Sequence, residues 1–102
     1  MEQVFINLIK NAIQVMQEQV TEKKISITTG QDDKSRIYID VADTGPGITR
    51  AAAEKIFIPF FTTKRTGSGI GLSISKQIMR LHNGTISVHS PAQGGCVFRL
   101  QF

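Results

Sequence analysis

The sequence predicts an α+β fold, a two-layer sandwich in which helices cover one face of a mixed, mostly antiparallel sheet. Apolar residues recur at helical spacing within residues 1–20 and again within 72–81. Short β-branched runs come in two pairs, each joined by a polar, turn-rich link. The order is therefore helix, two strands, loop, helix, two strands. With 102 residues there is room for one domain and one core.

The first helix is read from Phe5, Ile9, Ala12, Met16 and Val20, which form one apolar stripe at three- and four-residue steps. Gln3, Asn7, Asn11, Gln14 and Glu18 lie almost opposite. Residues 24–29 and 36–42 follow as strands around a polar link at 30–34, a hairpin signal. Asp43-Thr44-Gly45-Pro46-Gly47 breaks both periodicities and must be a loop. A short helix is expected over 50–55, then the aromatic stretch Phe57-Ile58-Pro59-Phe60-Phe61. The helix over 72–81 stops at Asn83-Gly84, and strands over 85–90 and 96–102 flank a Pro-Gly turn.

Composition narrows the function classes. Forty per cent apolar and 20% charged residues suit a soluble globular domain, and no stretch is long enough to span a bilayer. No secretory leader is visible, and the single cysteine, Cys96, suits a reducing compartment. Residues 1–54 hold six Lys/Arg and eight Asp/Glu, whereas 55–102 hold six Lys/Arg and no acid. An acid-free half attracts anions, although a solvated basic face fits equally well. Nucleic acid is disfavoured, because no aromatic-interleaved basic strip accompanies the charge.

Three places could carry chemistry. Asn7 and Asn11 stand one helical turn apart, and amide oxygens suit a hard cation such as Mg²⁺. Asp43, at a strand end before Gly45 and Gly47, can accept a hydrogen bond from an exocyclic amine while the glycines admit a close approach. Gly67-Ser68-Gly69-Ile70-Gly71-Leu72 opens a helix, where successive backbone N–H groups and the helix dipole favour phosphate. Thr62, Thr63, Lys64 and Arg65 lie just upstream. The segment matches neither the dinucleotide fingerprint nor a Walker loop. Each feature alone also has a plain structural reading. His82, His89 and Cys96 are read as structural, without a zinc spacing or a nucleophile motif.

The order of these features resembles the ATP-binding catalytic domain of sensor histidine kinases, the Bergerat-fold group that also includes DNA gyrase B, Hsp90 and MutL. Asn7-Leu8-Ile9-Lys10-Asn11-Ala12 resembles its N box, and Asp43 to Ile48 its G1 box. Phe57 to Lys64 resembles the F box, and Gly67 to Leu72 the G2 box. The Phe-Phe-Thr-Thr-Lys form looks most like sensors of the nitrogen-regulation type. The resemblance implies Asn11 as the Mg²⁺ ligand and Asp43 as the adenine-amine acceptor, with Gly45 and Gly47 beside the base. Ile48, Ile56 and Leu72 would line the adenine slot. Gly67, Ser68, Gly69, Ile70 and Gly71 would wrap the phosphates, with Thr63 and the cation Lys64 beside them. Asn7, Asn11 and Lys64 are the implied catalytic residues, with ATP and Mg²⁺ as the cofactors.

Asn7 separates relatives. The ATPases and serine kinases of the group carry Glu at this position, a base for water or a hydroxyl, which a carboxamide cannot replace. A neutral histidine nitrogen needs little such help. The resemblance thus implies γ-phosphoryl transfer to a histidine on a separate dimerisation domain, with a response regulator as the indirect partner. Gln14 stands where many members have a phosphate-contacting Lys or His, and Cys96-Val97 where Thr or Ser is frequent. The usual leading strand and phosphoacceptor helices are not in the sequence, so an N-terminally truncated catalytic domain over 1–102 is expected. An open sheet edge that pairs two copies is a further expectation. A cytoplasmic location follows, for a parent either soluble or anchored in the inner membrane. A hydrolysing or serine-phosphorylating relative and a non-catalytic docking module stay open as alternatives.

Overall fold

The computed structural model describes residues 1–61 and 70–102. Helix α1 (Glu2–Met16) leads into strands β1 (Ile25–Gln31) and β2 (Ile37–Asp43). Helices α2 (Arg50–Lys55) and α3 (Gly71–Leu81) precede strands β3 (Thr85–His89) and β4 (Cys96–Gln101). The four strands form one sheet in the order β1-β2-β4-β3, antiparallel at every pairing. The expected two-layer α+β architecture is present, and the described sheet is wholly rather than mostly antiparallel.

Alternation along the strands makes the two layers. Val41 of β2, Phe98 and Leu100 of β4 and Ile86 of β3 turn to one face and are buried. They meet Val4 and Leu8 of α1 and Met79 of α3 in a single cluster, and the Phe57 ring packs edge-on against Phe98 at 6.3 Å. The opposite face is polar. Arg99 donates two hydrogen bonds to Asp40, at 2.7 and 2.8 Å, while its guanidinium lies 4.0 Å from the centre of the Tyr38 ring. Such part-exposed pairs add about 1 kcal/mol or less, so they mark the solvated face more than they stabilise it.

Several bounds shift, and two departures from the sequence expectation are larger. The hairpin link is shorter, since Gly30 and Gln31 continue β1, and Asp32 builds the turn by accepting from the backbone N–H groups of Lys34 and Arg36. Helix α1 is rotated from the predicted stripe: Val4, Leu8, Asn11, Ala12 and Met16 are buried, Phe5 and Ile9 only partly, and Val20 is fully exposed beyond the helix end. Asn11, expected opposite the apolar stripe, belongs to the buried face instead. The cause is that α1 has apolar residues on most of its circumference, so tertiary contact chooses the face and periodicity alone does not.

The α2 start is capped by Thr49, whose hydroxyl accepts from the Ala52 N–H at 3.1 Å. At the α3 end Asn83 takes a left-handed conformation (φ 59°), and the Gly84 N–H returns to the Met79 carbonyl at 2.8 Å. Among the described residues no helix is long and apolar enough to cross a membrane.

Truncating Phe98 to Ala would empty the point where both layers meet. A loss of about 3–5 kcal/mol in urea unfolding is expected, against well under half of that for Phe102→Ala at the exposed end of the chain.

Candidate functional site

Asp43 ends the interior strand β2, in register with Ile25 on one side and Cys96 on the other. Its side chain is only 7% exposed. Its Oδ1 accepts from the Gly45 N–H at 2.9 Å, and the Cys96 N–H also points at the carboxylate. Among the described residues no Lys or Arg forms an ion pair with it. Burial is the largest influence and raises its carboxyl above the ordinary value, with the two N–H donors opposing. The charged form therefore costs folding stability, and acidification through the raised value relieves that cost.

The loop after Asp43 is fastened on both sides. The Thr44 hydroxyl donates to the Glu22 carbonyl at 2.8 Å and accepts from the Lys24 N–H at 2.9 Å. Gln19 donates to the Thr44 carbonyl at 3.0 Å. Gly47 has φ 83°, and a Cβ there would lie 2.8 Å from the Ser90 hydroxyl. That hydroxyl accepts from the Ile48 N–H at 2.6 Å and donates back to the Ile48 carbonyl at 3.2 Å. Gly95 (φ 78°) has no room for a side chain either, because a Cβ would run into the Asp43 carbonyl oxygen. The β3–β4 turn is thus clamped onto the end of β2 and the loop that follows the carboxylate.

Helix α1 connects this loop to the start of α3. Near its C-terminal end, a Cβ at Gly45 would be 3.2 Å from the Val15 side chain and 3.4 Å from Met16. Near its N-terminal end, Asn7 Nδ2 donates to the Gly71 carbonyl at 3.0 Å and to the Ser75 hydroxyl at 3.2 Å. Asn11 lies between them and is buried. The two contacts are about 12 Å apart along the helix axis at 1.5 Å per residue. Of the residues singled out in the sequence, Asn7, Asn11, Asp43, Gly45 and Gly71 are thereby joined through one helix. Ile48, Ile56 and Leu72 all pack against the core cluster. Ile70 is the N-cap of α3, and its carbonyl accepts from the Ser73 hydroxyl and the Ile74 N–H. Thr63, Lys64, Gly67, Ser68 and Gly69 lie outside the described residues.

The donor set fits a nucleotide with a hard cation. A buried carboxylate suits an amine donor at one end, a carboxamide oxygen suits Mg²⁺ in the middle, and the first-turn N–H groups of α3 suit phosphate at the other. Sequence reasoning missed Ser75, Ser90 and Gly95. Ser75 carried a signal, a small polar residue in an apolar helix, whereas Ser90 and Gly95 read as ordinary turn chemistry.

The chain belongs to the family of histidine kinase-, DNA gyrase B- and HSP90-like ATPases, whose profile matches residues 1–102. Within that family its relatives are sensor histidine kinases, and it is their ATPase domain that the chain matches. The sensor protein FixL of Bradyrhizobium diazoefficiens is 42% identical over 99 residues, which are 96% of this chain and 19% of FixL. Sporulation kinase A of Bacillus subtilis is 38% identical over all of this chain and 16% of its own length. The chain therefore spans less than a fifth of these curated relatives. Among solved structures, the catalytic domain of histidine kinase ThkA superposes with a TM-score of 0.80 at 39% identity, covering 99% of this chain and 64% of that one. Full-length ShkA in complex with AMPPNP gives 0.81 at 28% identity, covering 97% of this chain and 20% of ShkA.

Burial and the neighbouring Asp43 charge push the Cys96 thiol up to about 12, which leaves almost no thiolate at neutral pH. Labelling of the native chain with a thiol reagent should therefore follow global unfolding, its rate rising with denaturant. Fast stoichiometric labelling of the folded chain would contradict this burial.

Proposed function

We propose that this chain binds ATP with Mg²⁺ and acts as the catalytic domain of a sensor histidine kinase, supplying the γ-phosphoryl group to a histidine on a separate dimerisation domain. The observation that supports this reading best is Asp43: a buried carboxylate, without a cation partner among the described residues, held at the mouth of a fastened glycine loop. In that role it accepts the adenine amine, while Asn11 supplies an oxygen to the metal and the Gly71 end of α3 faces the phosphates. Lys64, Thr63, Gly67, Ser68 and Gly69 are proposed phosphate contacts on the family resemblance alone. The relative ShkA is described in complex with AMPPNP, which favours the same ligand class here. ThkA is described in complex with the response regulator protein TrrA. A regulator of that kind is the proposed downstream partner.

Bound Mg²⁺ would neutralise triphosphate charge, and the chain's own residues position the nucleotide. Asn7 cannot take a proton from water, so hydrolysis is a poor side reaction. Purified chain should turn over ATP far more slowly than the Glu-bearing ATPases of its family, and rapid release of phosphate would overturn the kinase reading.

Asn11→Ala should abolish the Mg²⁺-dependent part of ATP binding in calorimetric titration, and unchanged affinity would remove Asn11 from the metal site. The raised Asp43 carboxyl gives a pH signature. Binding needs the ionised form, so affinity should start to fall at a pH above the ordinary carboxylate range as the solution is acidified. Asp43→Asn should bind weakly and lack that fall; a wild-type profile in this variant would exclude the assigned role.

A further inference from the structure

Ser75 is a fully buried hydroxyl inside α3, where serine is an indifferent helix former. Its surroundings explain it. The Ser75 hydroxyl donates to the Gly71 carbonyl at 2.9 Å, and Asn7 Nδ2 donates to both that hydroxyl and that carbonyl. The three groups close a ring of hydrogen bonds between α1 and the first turn of α3. The two amide hydrogens of Asn7 are both used, and its Oδ1 accepts from Gln3 Nε2 at 2.9 Å. Asn7 is thus turned into the protein as a donor.

The ring has a directional consequence. The Gly71 carbonyl and the Leu72 N–H belong to one peptide plane, so holding the first fixes the orientation of the second. Gly71, Leu72 and Ser73 are the first three residues of α3, and N–H groups in such a turn have no helical partner. We propose that Asn7 and Ser75 act together as positioning residues. Through the Gly71 carbonyl they aim the first-turn amides of α3 at the phosphates, one helical turn from Asn11, the proposed metal ligand. This rests on the ATP-binding reading above and assigns Asn7 a supporting role in it.

The chemistry of the ring also accounts for the residue types. A carboxylate at position 7 would set an acceptor against the Gly71 carbonyl. An apolar residue at 75 would take the hydroxyl partner from a part-buried amide hydrogen of Asn7.

The test titrates the chain with Mg²⁺–AMPPNP and, separately, with adenosine, which lacks phosphate. Asn7→Asp, Ser75→Ala and the shape-preserving Ser75→Cys should each weaken the triphosphate ligand about tenfold and leave adenosine within about twofold. The Asn7→Asp/Ser75→Ala double variant should be no worse than the poorer single variant, because both changes open the same ring. Equal losses for both ligands, multiplied losses in the double variant, or no loss at all would overturn the proposal. Asp43→Asn should weaken both ligands; a wild-type chain that binds neither would instead refute the nucleotide reading itself.

Discussion

Helix α1 lies with one face pressed onto the sheet, and the geometry of the site is referred to that contact. Val4, Leu8, Ala12 and Met16 are almost fully removed from solvent, and Val4 and Leu8 join the core cluster on the inner side of the strands. Turning the helix would expose them, at roughly 1.5–3 kcal/mol for each of Val4, Leu8 and Met16. The flank of α1 is therefore a fixed rail. Asn7, Asn11 and the Val15–Met16 end stand along it, facing the start of α3 at one end and the Asp43 loop at the other.

The sheet supplies the second fixed reference. Asp43 is on an interior strand, laddered to β1 and β4, so its backbone is held from both sides. The loop that follows departs from the ladder at once, yet it is bound to the segment before β1 through Thr44 and to the end of β3 through Ser90. The carboxylate is thus fixed in place by main-chain partners more than by side chains.

Much of this was legible in the sequence, for reasons that differ by element. The β2 run Ile37-Tyr38-Ile39-Asp40-Val41 alternates strictly, so strand and facing were readable together. The span of α2 follows from Thr49 as a cap before alanines. Helix α1 was legible as a helix, but its buried face was not. Its apolar residues occupy too wide an arc, and an asparagine inside that arc reads as surface. The boxes that carry the family likeness were visible from residue type and order. Their fastening was not, because it is made across the chain by Ser75, Ser90 and Gly95, residues separated from their partners by tens of positions or hidden in a turn.

Asp43 and the Gly71 carbonyl are secured in unlike ways. The carboxylate rides on a strand whose displacement would unzip two ladders, whereas the α3 end is tied to α1 by a three-membered knot of side-chain and carbonyl groups. The two ends of the proposed nucleotide site are therefore held differently. Releasing the α3 end asks for a change in one asparagine rotamer, whereas moving Asp43 parts a strand from its neighbours.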